Sequence, residues 1–347
     1  MHYRSLGRTG VQVSPLCIGA GSFTHLEDEP FQALLGEAID AGLNFIDTAN
    51  IYKNGRDEAR IGRALEALGK RDRMVVATKV EGPIDPDDPN GRGISRRHII
   101  AQCEASLKRL RTDYIDLYQL HCSHGSTIPI DEPLRALDDL IRQGKIRYAG
   151  TSHYAAWQQM EAVWVARELG LNRFVCEQVC YHPLDRTPER ELIPFALSYG
   201  HALILWSPLA SGFLTGKYGP DSEKQPLRMV LKDLERAGNS QEVERTLNQA
   251  HRVMDVIRGI ADEAGVSPAQ WVLAWEMSQP GITAPIAGFR DSNQLQDNLK
   301  ALDLTVSDEE RAILDKVARP RMAVVPYNDV HGTPPLNSDW GPHAFRW

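Results

Sequence analysis

Short apolar runs alternate along the chain with longer segments of helical periodicity, and this alternation restricts the folds that the chain can adopt. Strands joined by helical crossovers form parallel sheets with helices packed on the outside. The predicted strands are residues 15–20, 44–48, 74–80, 114–121, 146–152, 174–180, 202–208 and 282–288. Eight such units predict an α/β protein with a single (β/α)8 barrel, a TIM barrel, rather than a doubly wound sheet.

The segments between these strands have the pattern of helices that cover a barrel. In residues 95–110, apolar side chains recur at spacings near 3.6, which predicts one apolar stripe along a helix. The stripe consists of Ile99, Ile100, Cys103, Leu107 and Leu110. Gly144 precedes the strand at 146–152 and can take the left-handed conformation that ends a helix.

Three segments lie outside the eight units. Residues 3–14, "YRSLGRTGVQVS", predict an N-terminal β-hairpin that closes the bottom of the barrel. Residues 210–249 form a long charged loop after the seventh strand, and residues 318–347 form a C-terminal tail rich in proline and aromatic residues. Loops of this length in compact proteins are usually functional or disordered. With neither an internal repeat nor a convincing linker, residues 1–347 are predicted to form one domain.

Composition excludes several classes of protein. The net charge of −7 argues against a nucleic-acid or anionic-membrane partner. No apolar stretch approaches the ~20 residues of a membrane span, and the N-terminus lacks the apolar core of a secretory signal, so we expect a cytoplasmic protein. The five cysteines are an odd number without metal-type spacing and are interpreted as reduced thiols.

Ionisable residues stand where the predicted strands end. Asp47 ends the second strand, Lys79 the third and His121 the fourth, while Tyr52 lies in the loop after the second. Taken singly, each has a structural explanation, such as a cap, a surface side chain or a buried polar residue. Because active sites of such barrels lie at the C-terminal ends of the strands, the four together predict one site.

The chemistry of these four groups follows from their types. A free phenol has a pKa of about 10 and is a poor proton donor at neutral pH unless something stabilises its anion. An ammonium from Lys79 beside Tyr52 would do so, and Asp47 would keep that ammonium charged and in place. His121 could orient a carbonyl oxygen by a hydrogen bond. The set therefore predicts a general acid suited to carbonyl reduction.

Beyond these residues, the sequence resembles the aldo-keto reductases from about residue 3 to about residue 317. The motifs that carry the resemblance occur in the family's order. They are "LGxTGxxVSxLxxG" near the N-terminus, "FIDTAxxYxxGxxE" (45–58), "ATKV" (77–80), "DYIDLYQLH" (113–121), "GKIRYAGTS" (144–152), "WSPLASGFLTGKY" (206–218) and "PIAGFRDSNQLQDNL" (285–299). The resemblance implies a TIM barrel in which Tyr52 is the proton donor, Lys79 and Asp47 tune it, and His121 positions the carbonyl.

The resemblance also implies contacts with a nicotinamide cofactor. Gly21, Ser22 and Asp47 match positions near the nicotinamide ribose, Ser152, His153 and Gln178 match the carboxamide site, and Trp206 matches the aromatic residue on which the ring stacks. Ser207, Leu209 and Lys217 match the pyrophosphate loop, and Gly288, Arg290, Gln294 and Asn298 match the adenosine end.

Two of these positions bear on how the cofactor is held. A guanidinium suits a phosphate, so Arg290 favours NADPH through a contact with its 2′-phosphate, without excluding NADH. His153 departs from the family's usual Asn after the serine of the fifth strand. An imidazole makes one hydrogen bond per nitrogen, so His153 either holds the carboxamide differently or leaves part of that work to Gln178.

Other interpretations remain open at this point. The same barrel could serve as a nucleotide-binding regulatory subunit, similar to the channel-associated members of the family. A different barrel enzyme could use a metal, or Lys79 as a Schiff-base nucleophile, although Asp47 would keep that lysine protonated. "GAGSF" (19–23) lacks the Rossmann fingerprint, and "HCSH" (121–124) has no further ligand at metal spacing, so no metal site is predicted.

The substrate is expected to be a small carbonyl compound with an apolar or sugar-like face, because Phe23 and Trp206 lie near the predicted site. Trp340 and Phe345 in the tail could contribute to that site. They could instead pack on the barrel or against a second chain in a homo-oligomer. Residues 210–249 are predicted to fold over the pyrophosphate and to slow cofactor release.

Overall fold

The computed structural model describes residues 1–23, 26–83, 87–122, 128–220, 222–223 and 226–319. Eight parallel strands close into a barrel: β3 (Cys17–Gly19), β4 (Phe45–Asp47), β5 (Val75–Val80), β6 (Ile115–Leu120), β7 (Ile146–Ser152), β8 (Cys176–Cys180), β9 (Ala202–Trp206) and β10 (Ile282–Ala287). Each strand pairs with its neighbours in chain order, and β10 closes the barrel against β3. The prediction of a single TIM barrel is confirmed.

Helices surround this barrel. They are α1 (Asp28–Asp40), α2 (Arg56–Leu68), α3 (Arg96–Leu110), α4 (Asp131–Arg142), α5 (Ala156–Leu169), α6 (Leu192–Tyr199), α7 (Pro226–Arg236), α8 (Ser240–Ala264), α9 (Pro268–Met277), α10 (Ser292–Lys300) and α11 (Asp308–Ala318). The predicted stripe on α3 is confirmed at Ile99, Cys103, Leu107 and Leu110, which are buried, whereas Ile100 is half-buried. None of the described helices is long and apolar enough to cross a bilayer.

The N-terminal hairpin closes the bottom of the barrel, as predicted. Its strands β1 (Arg4–Ser5) and β2 (Gln12–Val13) pair antiparallel, and Leu6 and Val13 pack fully buried among the inward-facing side chains of the barrel strands. Gly7 sits at a φ of 57°, where an added Cβ would lie 2.7 Å from the carbonyl oxygen of Val175. Only glycine fits this approach without displacing backbone.

The long segment after the seventh barrel strand, β9, is present, but much of it is helical rather than a loop. It contains a short 3-10 helix at Ala210–Thr215, all of α7 and the start of α8. Val243, Leu247 and Ala250 are buried at helical spacing, which is the signal that the charged composition of the segment obscured. Of the predicted tail, residues 320–347, with Trp340 and Phe345, lie outside the described residues.

None of the five cysteines forms a disulfide, and a buried histidine lies in the turn after β8. His182 follows β8, and its Nδ1 accepts from the backbone N–H of Leu184 (3.2 Å) and of Asp185 (3.1 Å). Burial lowers the pKa of His182 to about 4, against the opposing charge of Asp185. The imidazole is therefore neutral in the folded protein at neutral pH.

This neutral imidazole predicts a loss of stability in acid. Between pH 6.5 and about 4 the unfolded chain protonates this histidine and the folded chain does not, so the free energy of unfolding falls as pH decreases through that window. At about 1.4 kcal/mol per pH unit the contribution is on the order of 3 kcal/mol. In His182→Asn, whose side-chain oxygen can still accept from the turn, urea unfolding should depend less on pH between 4 and 6.5. An unchanged slope would contradict the assignment.

Candidate active site

A cleft of about 290 Å³ opens at the C-terminal ends of the barrel strands. It is lined by Gly19, Ala20, Gly21, Ser22, Asp47, Tyr52, Gln178, Trp206, Ser207, Ile286 and Gly288. Most of the predicted site residues therefore either line this cleft or lie directly behind its lining.

A buried ion pair forms the floor of the cleft. Lys79 Nζ donates to Asp47 Oδ1 at 2.5 Å and to the backbone oxygen of Thr48 at 2.9 Å. Lys79 is 0% exposed and Asp47 is 3% exposed. Strands β4 and β5 are adjacent, and both residues point into the barrel near the strand ends, which brings a carboxylate and an ammonium together.

The charge of Lys79 depends on its partners. Burial alone would lower the pKa of its ammonium, but the charge of Asp47, the phenol of Tyr52 and hydrogen bonds with both outweigh burial and raise it. Lys79 is therefore a cation at neutral pH. A protonated lysine is not a nucleophile, which counts against the Schiff-base interpretation.

Tyr52 lies beside this ion pair at the start of a short 3-10 helix, Tyr52–Gly55. Lys79 Nζ lies 5.1 Å from the centroid of the Tyr52 ring. The ring centroids of Tyr52 and His121 lie 5.9 Å apart, with an interplanar angle of 73°. His121 directly follows β6, and its backbone N–H donates to Val80. The structure thus brings Asp47, Tyr52, Lys79 and His121 together at one mouth.

The helix that follows Tyr52 is tied to the barrel wall. Glu58 in α2 is fully buried; it accepts from Thr78 of β5 at 2.6 Å and from Arg109 of α3 at 2.6 Å. Arg109 also packs against Gly55, at the end of the Tyr52 turn, where an added Cβ would lie 2.6 Å from Arg109 Cδ and 2.7 Å from its Nε. These contacts limit how far the phenol of Tyr52 can move relative to Lys79.

Two amides hold the second oxygen of Asp47. Gln119 of β6 donates to Asp47 Oδ2 at 3.2 Å, and Gln178 of β8 donates to the same oxygen at 2.9 Å. The sequence reasoning missed Gln119. The signal was present, since Gln119 and His121 are two residues apart and side chains alternate along a strand.

At the far side of the cleft, hydrogen bonds between the end of β7 and β8 link the residues predicted at the carboxamide site. Ser152 Oγ donates to the backbone oxygen of Gln178 at 3.0 Å, and the backbone N–H of His153 donates to the same oxygen at 3.2 Å. His153 has a φ of 60°, and its ring lies 5.1 Å from that of Trp206. The indole Nε1 of Trp206 is buried without a hydrogen-bond partner among the described residues.

The residues predicted at the pyrophosphate loop are not all in the cleft. Ser207 lines the cleft, has a φ of 54°, and its Oγ accepts from the backbone N–H of Ser211 at 3.0 Å. The side chain of Leu209 packs against the core, so only its backbone is suited to a ligand. Lys217 is exposed beyond the 3-10 helix and does not line the cleft.

The remaining predicted residues lie in α10 and in the segment between β10 and α10. Asn298 donates to the backbone oxygen of Gly288 at 3.1 Å, and Gln294 accepts from the backbone N–H of Arg290 at 3.1 Å. An added Cβ on Gly288 would lie 2.8 Å from Ser22, so glycine allows the loops after β3 and β10 to approach. The exposed side chain of Arg290 stands next to this end of the cleft.

The arrangement can donate a proton to an oxygen that gains negative charge, and the cleft beside it is lined by residues from Tyr52 to Gly288. Within the described ranges, no group of three or more His, Cys, Asp and Glu side chains is placed to hold a metal ion. His124, part of the "HCSH" segment, lies outside those ranges.

Comparison with known proteins agrees with this geometry. Residues 15–319 match the model of the aldo/keto reductase family. The chain is 40% identical, over 88% of its length and 92% of the relative, to a protein of Oryza sativa subsp. japonica named "Probable voltage-gated potassium channel subunit beta". It is 38% identical to an uncharacterized oxidoreductase of Bacillus subtilis, over 91% of this chain and 96% of the relative.

A third relative is the versiconal hemiacetal acetate reductase of Aspergillus parasiticus, 32% identical over 92% of this chain and 98% of the relative. These matches extend over most of the barrel, and the family model begins at the first barrel strand and ends just after α11. The chain belongs to the aldo/keto reductase family.

Proposed function

We propose that this protein is an NADP(H)-dependent reductase of aldehydes or ketones, able to oxidise the corresponding alcohols in reverse, with Tyr52 as the general acid. The observation that carries the proposal is the fully buried ion pair of Lys79 and Asp47 beside the phenol of Tyr52. Burying two charges is costly, and this pair lies beside a proton donor at the mouth of the barrel, where catalytic residues of this fold are found.

The cleft suits a nicotinamide nucleotide, the class of cofactor that family members bind. Trp206 offers a flat aromatic surface, and Gln178 and Ser152 supply polar groups beside it. Around Gly21, an added Cβ would meet nothing within 4 Å, so the wall is open to a ligand there. Ser207 and Gly288 would flank the phosphate and adenosine portions.

When bound, NADPH supplies a hydride from C4 of its nicotinamide to the carbonyl carbon. Tyr52 donates its phenolic proton to the carbonyl oxygen, so that the carbonyl gains a hydride on its carbon and a proton on its oxygen and becomes an alcohol. The ammonium of Lys79, held by Asp47, stabilises the phenolate left on Tyr52 until solvent returns a proton. His121 orients the carbonyl oxygen towards the phenol.

The experiment that tests this proposal is a titration of the purified protein with NADPH and with NADH, followed by quenching of tryptophan fluorescence, together with an assay for aldehyde-dependent oxidation of the bound nucleotide. Binding of NADPH together with turnover of a reactive aldehyde or dicarbonyl supports the reductase. If the protein binds neither nucleotide, the proposed function is contradicted, and membership of the family then describes only its fold.

Arg290 is expected to select NADPH over NADH. A charge-assisted hydrogen bond to the 2′-phosphate is worth about 1.5–3 kcal/mol, so Arg290→Met should raise the Kd for NADPH about 10- to 100-fold and leave that for NADH nearly unchanged. Arg245→Met is the matched control, because Arg245 pairs with Glu242 on α8, away from the cleft. Equal loss of both nucleotides in Arg290→Met would contradict the role.

A regulatory subunit is the second candidate, and the printed name of the relative from Oryza sativa favours it. A subunit of this kind would bind the nucleotide and work chiefly through a partner. The assay separates the two, because a purely regulatory protein would bind NADPH without oxidising it in the presence of a reactive aldehyde. The intact set of Asp47, Tyr52, Lys79 and His121 favours the enzyme.

A further inference from the structure

A second polar cluster lies behind the carboxamide side of the cleft, on the outer face of the barrel wall. Ser152 and Gln178 belong to the cleft side, and the residues that precede them in β7 and β8, Thr151 and Glu177, point to the opposite face. There they meet Gln159 of α5. Thr151 and Gln159 are 0% exposed and Glu177 is 1% exposed, so no group of this cluster reaches solvent.

Hydrogen bonds hold both oxygens of Glu177. Thr151 Oγ1 and Gln159 Nε2 each lie 2.6 Å from Glu177 Oε2 and donate to it. The backbone N–H of Tyr154 donates to Glu177 Oε1 at 2.9 Å. One carboxyl group therefore joins β7, β8, α5 and the loop that follows Ser152.

This carboxyl differs from the other fully buried glutamate that supports the cleft. The charge of Glu58 is balanced by Arg109, whereas the groups that donate hydrogen bonds to Glu177 are uncharged. Burial raises the pKa of Glu177 to about 8, and the hydrogen bonds from Thr151, Tyr154 and Gln159 oppose that rise. Burying a carboxyl group without a neighbouring cation costs free energy. What Glu177 contributes to the structure in return is its set of hydrogen bonds.

The loop that Glu177 holds is strained. His153 lies in the left-handed region at a φ of 60°, which costs a residue other than glycine roughly 1–2 kcal/mol. Such a turn persists only where surrounding contacts determine it. Here the backbone N–H of His153 is held by Gln178 and that of Tyr154 by Glu177, one on each side of the barrel wall.

We propose that Glu177 is a positioning residue for the nicotinamide end of the cofactor site. It fixes the left-handed turn at His153 through the backbone N–H of Tyr154 and so holds Ser152 and the ring of His153 beside Trp206. Thr151 and Gln159 fix the carboxyl itself. The proposal rests on the proposed function, because it concerns how that cofactor is held.

The expected consequence is a local loss of affinity. Without the carboxyl of Glu177, the turn at His153 relaxes, and cofactor binding must then order it at a cost in free energy. This cost weakens only the contacts at the nicotinamide end. Glu177→Met should raise the Kd for NADPH about tenfold. The Kd for adenosine 2′,5′-bisphosphate, which lacks the nicotinamide and occupies the other end of the cleft, should stay at the wild-type value.

Glu177→Gln is the conservative control. Its side-chain oxygen can still accept from Tyr154, and Gln159 has an oxygen without a partner among the described residues that could accept from the new amide after turning over. This variant should therefore keep NADPH affinity within about twofold of wild type. Glu177→Met leaves the amide N–H of Gln159 buried without its acceptor, which could make the variant fold poorly. The double variant Glu177→Met with Gln159→Met removes that donor, while the backbone N–H of Tyr154 still lacks its acceptor.

Fluorescence titration of the wild type and these variants with both ligands tests the proposal. Selective loss of NADPH affinity in the methionine variants, with rescue in Glu177→Gln, supports it. Wild-type NADPH affinity in the methionine variants, or equal loss of both ligands, would overturn it. Failure of the wild type itself to bind NADPH would instead contradict the proposed function.

Discussion

Tyr52→Phe is expected to lower kcat for carbonyl reduction by about 100- to 10,000-fold, the range that a general acid contributes, while leaving the Kd for NADPH unchanged. The phenolic oxygen is the proton source in the proposed reaction, and the ring itself remains to pack beside Lys79 and His121. The effect should therefore appear in turnover and not in cofactor binding. Steady-state kinetics and fluorescence titration measure the two quantities.

The matched control is Tyr114→Phe, which removes an exposed phenolic hydroxyl that donates a hydrogen bond to Asp72. That variant should turn over at the wild-type rate. Wild-type turnover in Tyr52→Phe would show that another group supplies the proton, and parallel loss of NADPH binding would show that the change disturbs the cleft instead of the chemistry.

Lys79→Met is expected to have the second large effect, on stability as well as on turnover. Removing the ammonium leaves the carboxylate of Asp47 buried at 3% exposure, with the amides of Gln119 and Gln178 as its remaining partners among the described residues. Breaking a buried ion pair in this way typically costs about 3–5 kcal/mol of the free energy of unfolding. Turnover should also fall steeply, because the ammonium that stabilises the phenolate of Tyr52 is then lost.

A double variant separates the stranded charge from the lost packing. Asp47→Asn combined with Lys79→Met buries no charge, so urea unfolding should find it more stable than Lys79→Met alone, although still inactive. A double variant whose destabilisation equals the sum of the two single changes would mean that the pair contributes no coupling energy, contrary to the geometry of Lys79 and Asp47.

The alternation of apolar runs was sufficient to predict the barrel, because strand and helix periodicity are local properties of the chain. The ends of the strands were then enough to predict that Asp47, Lys79, Tyr52 and His121 lie together, and the structure places them together. The catalytic and cofactor-binding roles of these residues stay predictions, as does the closure of residues 210–249 over the cofactor.

What the sequence did not predict depends on contacts between distant segments. Gln119 reaches Asp47 across 72 positions of the chain; its spacing from His121 indicates the face of the strand on which it lies but not that partner. Glu177 is one of two polar residues in an otherwise apolar run, and its role emerges only when Thr151, Gln159 and the His153 turn are seen around it. The helices of residues 210–249 were obscured by their charge, because only one stripe of α8 is buried.

The central claim is that this barrel transfers hydride from NADPH to a carbonyl, and isotope transfer tests it most directly. The protein is incubated with NADPH deuterated at nicotinamide C4 on each face in turn, together with a reactive aldehyde, and the alcohol is analysed by mass spectrometry. We predict deuterium on the carbinol carbon with one of the two labelled faces, and its near disappearance in Tyr52→Phe. Alcohol without deuterium from either face, or no alcohol from protein that binds NADPH, would contradict the account.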